Sequence, residues 1–508
     1  MSGYYALILF IATLFLSSES MAASTVCGAD VVNNQNVDAA APLQNCIMAA
    51  SANGYNIVDL PPGRYYINGS INIGDTSNMR IRTQYNSSGA ACLDDGANTC
   101  AVLMATPTNP GPSLLISTNA SNLILDHIAL DGNIAPRRVR YNNSNWAMDA
   151  AGRRTAMNGV IHACSGCQFL GFTSTRAAQG SGMEFYGDNA VFDGALFSEN
   201  GWGATGFPNS WADGLTLLSS ANAKVVNSKF IDNSDVDLII GGAPNLIVSS
   251  NKFINRTNFS FAALMLDNFQ NSQSGIFTNA IISNNSIDCS SGMCGIGIDL
   301  GPHFWYQSSS INGTGSLVSN NTITGAKQGI LTAGAIGFSI ASNIINANGA
   351  YAGENYIGCT ANPLSVSGGD SVSVSNNNYG VFPNLLSGCG PLDLTRLVVH
   401  MANVSYTIAA DYRAILGRDA DASGGQYFSN LLASEASNNS DISMQMASSP
   451  ESFNTLNAMY QKYLGRNIDS SGWDAHSRSL ANGTVTVDQL RVNIQLSSEA
   501  LSNPFRVY

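Results

Sequence analysis

A phrase of β-branched or apolar residues, then Ser and Asn, then another apolar residue, keeps returning along the middle of this chain. It reads VVNSKF at 225–230, IVSSNKF at 247–253, IISNNSI at 281–287, LVSNNTI at 317–323, SIASNII at 339–345 and VSVSNNNY at 372–379. Interleaved with it are apolar runs bounded by Gly or Asp: MEFYG at 183–187, DGLTLL at 213–218, VDLIIGG at 236–242, FAALMLDN at 261–268, GIGIDLG at 295–301 and GILTAG at 329–334. Self-similarity at a period of a few tens of residues is the mark of a solenoid.

The spacing says which solenoid. Asn227 to Asn251 is 24 residues and Asn321 to Asn343 is 22. Asn251 to Asn285 is 34 and Asn285 to Asn321 is 36, so those turns carry insertions of about a dozen residues. Helical repeats would need apolar residues at i, i+3, i+4 and i+7. These runs alternate and then break at Asn or Gly, the pattern of strand plus turn. The recurrent Asn is expected at the bend, in the left-handed region, bonded to an Asn above and below. The reading is a mainly β chain: a right-handed, single-stranded parallel β-helix. A β-sandwich of hairpins is the alternative, but hairpin dipeptides are scarce and an Asn ladder has no role there.

A chain of 508 residues is long for one compact core, yet a solenoid grows without that limit. Charged residues are only 11% and Gly is 49, which suits stacked strands and tight turns. The net charge of −12 argues against nucleic acid, which calls for a basic face. Residues 4–16, YYALILFIATLFL, have the length of a signal-peptide core, and small residues at 20–23 place cleavage after Ala22 or Ala23. No Lys or Arg precedes the run, so an uncleaved anchor is the alternative; no later segment reaches membrane-spanning length. The expected location is secreted, periplasmic or at a bacterial cell surface. The ten cysteines fall in neighbouring pairs, Cys27/Cys46, Cys92/Cys100, Cys164/Cys167, Cys289/Cys294 and Cys359/Cys389, which in an exported chain reads as local disulfides. Cys164-Ser-Gly-Cys167 with His162 could be a redox or metal motif, but it lies between apolar strand-like runs and not at a helix start.

Residues 38–50 read as a short amphipathic helix and 57–73 as strand, turn, strand. Leu60, Pro61, Pro62, Gly63, Tyr65 and Ile67 form a phrase that resembles the entry into pectate-lyase-like (pectin-lyase-fold) β-helix proteins, with a helix capping the open end. The resemblance covers about 28–390 and implies the fold; it does not fix the chemistry. The expected layout is signal peptide 1–22, cap and first turns 23–110, parallel β-helix 111–392, and a small all-α domain 395–508. In the last, Tyr412-x3-Leu416-Gly417-Arg418-x2-Asp421-x2-Gly424 matches Tyr460-x3-Leu464-Gly465-Arg466-x2-Asp469-x2-Gly472 at an offset of 48, and Glu451 matches Glu499. This resembles a bacterial helical domain of unknown function that is often appended to secreted and cell-surface proteins. It implies a possible cell-surface partner. Arg418 and Arg466 are placed to pair with Asp421 and Asp469; a Ca²⁺ site on those acids is the alternative.

Chemistry is expected along one side of the coil. Asp213 opens one strand, and Asp235 and Asp237 open the next, so stacking at ~4.8 Å would gather them. Close carboxylates push their pKa values apart, which suits acid–base work. Asp267 and Asp299 come next in the stack, followed by His303, Trp305 and Tyr306; Trp202 and Trp211 flank Asp213. The ADG and DVD phrases resemble two motifs of polygalacturonase-type glycoside hydrolases, which implies catalytic roles for Asp213 and for Asp235 or Asp237. The Gly-His-Gly and Arg-Ile-Lys phrases of that family are missing. A uronate lyase or epimerase would use His303 or Tyr306 as base and an Arg-rich insert, with Arg137, Arg138, Arg140, Arg153, Arg154, Tyr141 and Trp146, to meet carboxylates. The alternative is structural: Asp at a β-helix turn bonding backbone amides. The expected catalytic set is Asp213, Asp235, Asp237 and His303. The expected substrate contacts are Arg137, Arg138, Tyr141, Trp202, Trp211, Asp267, Asp299, Trp305 and Tyr306. The expected partner is a polysaccharide, hydrolysed, eliminated, epimerised or only bound. No cofactor is called for, with Ca²⁺ the one ion left open.

Overall fold

The computed structural model describes residues 23–500 apart from 75, 85–99, 112, 138–155, 204–207, 259, 290–292, 304–305, 307–308, 348–361, 367–369, 380–407, 410, 434–438, 496 and 498. The expected signal peptide lies outside the described residues. So do Arg138, Arg140, Tyr141, Trp146, Arg153, Arg154, Trp305, Cys92, Cys359 and Cys389.

The chain coils, and each full turn contributes one strand to each of three sheets. Their described strands number 12, 11 and 10, and every pairing within them is parallel. One turn runs Val191–Asp193, Leu196–Ser198, then Ala212–Leu217; the next runs Lys224–Val226, Lys229–Ile231, Val236–Ile240. This is a parallel β-helix followed by a helical segment. Inward residues stack in columns. Phe169 lies on Phe192 at 4.3 Å, and Phe197, Phe230 and Phe253 follow one another at 5.3 and 4.8 Å. Phe230, Phe253, Ile287, Ile323 and Ile345, the last apolar residues of the first five repeated phrases, belong to this core, and burying each such side chain stabilises by about 2 kcal/mol.

The Asn phrase is resolved into two positions with different jobs. Asn251, Asn285, Asn321 and Asn343 are buried, and each passes its Nδ2 to the Oδ1 of the next, Asn343 to Asn377, at 2.9–3.0 Å. Each also donates to a backbone carbonyl and accepts from the backbone N–H one turn below. The left-handed conformation belongs instead to the residue before: Ser250, Asn284, Asn320, Ser342 and Asn376, with φ of 53–61°. Asn227 is therefore at the left-handed position, φ 52°, and Ser228 holds the ladder place. A second ladder runs at another bend through Asn189, Asn222, Asn245 and Asn279; these do have φ near 60° and face solvent.

The buried ladder marks a corner of fixed length. From Gln168 to Asn346 two residues separate the strand of the 12-stranded sheet from that of the 11-stranded sheet in every turn. The corners beside the 10-stranded sheet vary. The long Asn spacings come from there, from residues 267–280 and 301–310.

Helix Ala40–Ala52 caps the open end with Leu43, Ile47 and Ala50 buried, and Cys27–Cys46 ties it down. Tyr65 is wholly buried and its hydroxyl donates to Pro61 O at 2.7 Å. Cys164–Cys167 and Cys289–Cys294 are also bridged, and Cys100 is disulfide-bonded.

The helical segment has its own core, from Ile408 to Ala500. The repeated phrase is accounted for residue by residue. Gly417 and Gly465 end a helix at φ 71° and 72°. Arg418 and Arg466 lie over the Tyr412 and Tyr460 rings at 5.0 Å, bond Asp421 and Asp469 at 3.2 and 2.9 Å, and reach Glu451 and Glu499. Asp421 and Asp469 then accept the N–H of Gly424 and Gly472 at 2.8 and 2.7 Å, capping the next helix. A Cβ on Gly424 or Gly472 would sit 2.1 or 2.7 Å from the tyrosine hydroxyl.

Candidate functional site on the outer face of the 10-stranded sheet

Outward residues of this sheet fall in three columns. Pairing puts Ser181 beside Asp213 and then Val236, Ala262 and Ile296. It puts Glu184 beside Thr216, then Ile239, Met265, Asp299 and Leu331. The third column holds His162, then Tyr186, one residue beyond the paired Ile161 and Phe185, and further on Asp267.

At one end these columns bring titratable and hydroxyl groups together. His162 Nε2 meets Glu184 Oε1 at 2.8 Å, with both side chains partly open to solvent. Tyr186, 45% exposed, stands next to His162. Ser181 Oγ meets Thr216 Oγ1 at 2.7 Å, and Thr216 donates to Asp213 Oδ2 at 2.7 Å. Asp213 Oδ1 takes the Val236 N–H at 3.2 Å. Asp213 is 7% exposed, and Ser181 and Thr216 are buried beside it. By the spacing of strands and residues, Glu184 and Asp213 are ~11 Å apart at Cα, with both side chains on one face.

The expected cluster of Asp213, Asp235 and Asp237 is not built. Asp213 faces out beside Val236, so the two other acids flank it in sequence without matching its direction. Asp237 is fully buried inside the corner of the coil. It accepts from Asn233 Nδ2 at 2.8 Å and Asn255 Nδ2 at 2.7 Å, and burial pushes its carboxyl up to about 7. Strict alternation about Val236 would send Asp235 and Asp237 to one face. Instead Val236 points outward, into an apolar cluster with Ile239, Phe261 and Met265, and the strand kinks so that Asp237 and Leu238 both face inward. Asp235 is half-buried, and its backbone carbonyl takes the Phe261 N–H.

Other expected contacts are corrected as well. Arg137 is 3% exposed and its Nη1 donates to Gly132 O at 2.7 Å, so it is a buried brace. Trp202 is buried with Ile134, Ala156 and Ala178 and offers no open ring face. Trp211 is half-buried beside Asp213. Asp267 and Asp299 are fully buried. His303 and Tyr306 are half-buried, His303 against Gly334. They lie three strands beyond Asp213, ~14 Å along the coil, with the apolar Val236–Met265 cluster between.

Glu184, Tyr186, His162, Ser181 and Thr216 were missed. The signal was present in MEFYG: Glu184 is the one charged residue in an otherwise apolar phrase, at an outward position. Among the described residues no three His, Cys, Asp or Glu side chains gather as metal ligands. No described helix is long and apolar enough to cross a membrane.

Residues 401–457 match the family model described as a domain of unknown function, DUF4214. No curated protein matches the sequence. Among solved structures the chain is similar to endo-xylogalacturonan hydrolase from Aspergillus tubingensis, at 11% identity and TM-score 0.45, over 70% of this chain and 92% of that one. It is similar to the Agl-KA catalytic domain at 13% identity and TM-score 0.45, over 72% and 66%. It is also similar to an exopolygalacturonase from Thermotoga maritima at 11% identity and TM-score 0.42, over 70% and 92%.

Proposed function

We propose that this protein is an exported polysaccharide-active enzyme that cleaves a glycosidic bond by hydrolysis on the outer face of the 10-stranded sheet. The observation that carries the reading is the His162–Glu184 pair, partly open to solvent beside the exposed ring of Tyr186, with the buried chain Ser181–Thr216–Asp213 along the same face. Tyr186 offers a flat apolar face to a sugar ring. The Glu184–His162 pair, in contact with water, delivers a proton to the leaving oxygen. Asp213, oriented by Thr216 and the Val236 N–H, activates water from the other side. A separation that leaves room for that water belongs to inversion. The lyase or epimerase reading has less support, because Arg137, the one described arginine of its insert, is turned into the fold. The scheme requires no cofactor. The disulfides suit an oxidising compartment, and the helical segment is the natural place for a cell-surface partner.

The test is a panel of polysaccharides read for both reducing ends and unsaturated products, with and without chelator. Hydrolysis should fall 10²–10⁴-fold in Glu184→Gln and in Asp213→Asn with binding retained. Unsaturated product would replace hydrolysis by elimination. No turnover on any glycan, with binding lost only in Tyr186→Ala, would leave a glycan-binding protein. No binding to any glycan would end the reading.

A further inference from the structure

The other end of the same face holds two acids that the proposed reaction does not use. Asp299 is 0% exposed, and neither carboxyl oxygen has a hydrogen-bond partner. Asp267, also 0% exposed, lies in the neighbouring turn and column; its Oδ2 is likewise unpartnered, while its Oδ1 accepts the Asn268 N–H at 2.7 Å. The surroundings are apolar. Asp299 stands between Met265 and Leu331, and Phe269 packs against the same cluster. Two bare carboxylates cannot both ionise in such a place.

The segment after Asp267 is held in an unusual shape. Phe269, Gln270 and Asn271 have φ of 46°, 56° and 65°, three consecutive left-handed residues, none of them glycine. Each costs about 1–2 kcal/mol. The turn is kept closed by Asp267 at its start and by Asn268, whose Nδ2 reaches Asn271 Oδ1 and Ser310 O at 3.1 and 3.2 Å. It closes over the sheet, with Phe269 against the position where Gly241 would carry a Cβ.

We infer that Asp267 and Asp299 share a proton that locks the turn 268–271 closed over the outer face, and that losing this proton on raising the pH opens it. Among the described residues, the groups around the pair add no counter-charge. The strand on one side presents Ile239 and Gly241 and that on the other Leu331 and Ala333. On the adjoining loop His303 packs against Gly334, and Asp370 is taken up by the N–H groups of Gly334 and Ala335. Both carboxyls are pushed up by burial, Asp299 further because Asp267 stands beside it. With a folded pKa raised above the unfolded one, the lock is complete below about pH 4 and is lost as pH rises through the folded value. A cation is the rival occupant, but it would need more oxygen ligands than this apolar setting gives.

Hydrogen exchange of segment 268–275 in the full chain, corrected for the intrinsic pH dependence of exchange, tests this. Opening in the wild type should rise with pH by up to tenfold per unit, the limit for one linked proton. Asp299→Asn should show a flat opening, since its amide can donate to Asp267 Oδ2 without a proton to lose. Asp267→Asn should be flat as well and serves if the first variant does not fold. Equal pH dependence in wild type and variants would overturn the lock. So would protection at pH 8 that appears only with added calcium. Neither result bears on whether Glu184 and Asp213 act on a glycan.

Discussion

The buried asparagines should carry far more stability than the exposed ones, and Asn321→Ala against Asn245→Ala measures the difference. Asn321 makes four side-chain hydrogen bonds. It accepts from the Asn285 N–H at 3.0 Å and Asn285 Nδ2 at 2.9 Å, and it donates to Ile282 O at 3.0 Å and Asn343 Oδ1 at 2.9 Å. At about 1 kcal/mol each the loss is about 4 kcal/mol. The Asn285 N–H alone, left buried with no acceptor, accounts for about 1–3 of that. Asn245 is different. Its bonds to Asn222 and Asn279 lie in water, so its replacement costs only the left-handed strain of alanine at φ 58°, about 1 kcal/mol. Glycine should reverse the two sites: Asn245→Gly near neutral, Asn321→Gly at least as damaging as alanine. A long solenoid need not unfold in one step, so the shift in urea midpoint should be joined to hydrogen exchange at Ile281–Ser283 and Ile311–Ser319, which reports these turns directly. A cost for Asn321→Ala below 1 kcal/mol, or no greater than for Asn245→Ala, would refute the idea that the inner ladder holds the register.

Two further outcomes can be checked. Asp237, pushed up to about 7 against about 4 unfolded, contributes stability that is full below pH 4 and lost as pH rises through 7. Relative to wild type, Asp237→Asn should therefore gain up to about 4 kcal/mol between pH 4 and pH 8 by urea titration, and a constant difference would refute the assignment. Gly424→Ala should destabilise the helical segment by about 2 kcal/mol, read from its urea midpoint, through the clash with the Tyr412 hydroxyl, while strand exchange in the β-helix stays unchanged.

What could be read from the residues alone was whatever repeats. The apolar–Ser–Asn–apolar phrase pointed to parallel stacked strands, and the offset of 48 between Arg418 and Arg466 pointed to their pairing with Asp421 and Asp469. Direction was harder to read. Whether Asn227 or Ser228 fills the ladder depends on a one-residue difference in phase that the letters do not show. Asp237 reads like an outward acid by alternation, but a kink at Val236 turns it inward. Asp213 faces out although Leu215 and Leu217, of the same parity in its strand, are core, so alternation would send it inward as well. Glu184 carries only the faint signal of a single charge in an apolar phrase, because it sits alone in mid-strand and has no counterpart in the next turns. Sites made by one residue per turn leave no local pattern.

The corner of constant length carries a consequence for how such a protein changes over time. From Gln168 to Asn346 two residues at each such corner set the pitch, and where the buried asparagines join them an insertion or deletion would break the ladder; before the ladder begins the same corner holds residues 84–100 in one turn and His127 alone in the next. The opposite corners, beside the outer face, already differ from turn to turn. Segments 268–276 and 301–310 have lengthened with no effect on the stacking above or below them. Along the ladder, novelty is thus confined to the rim of one face while the asparagine corner keeps count. For an engineer, loops of foreign length should be accepted at 268–276 or 301–310 and rejected at 284–285 or 320–321, and a library built on the first pair would explore recognition without putting the scaffold at risk.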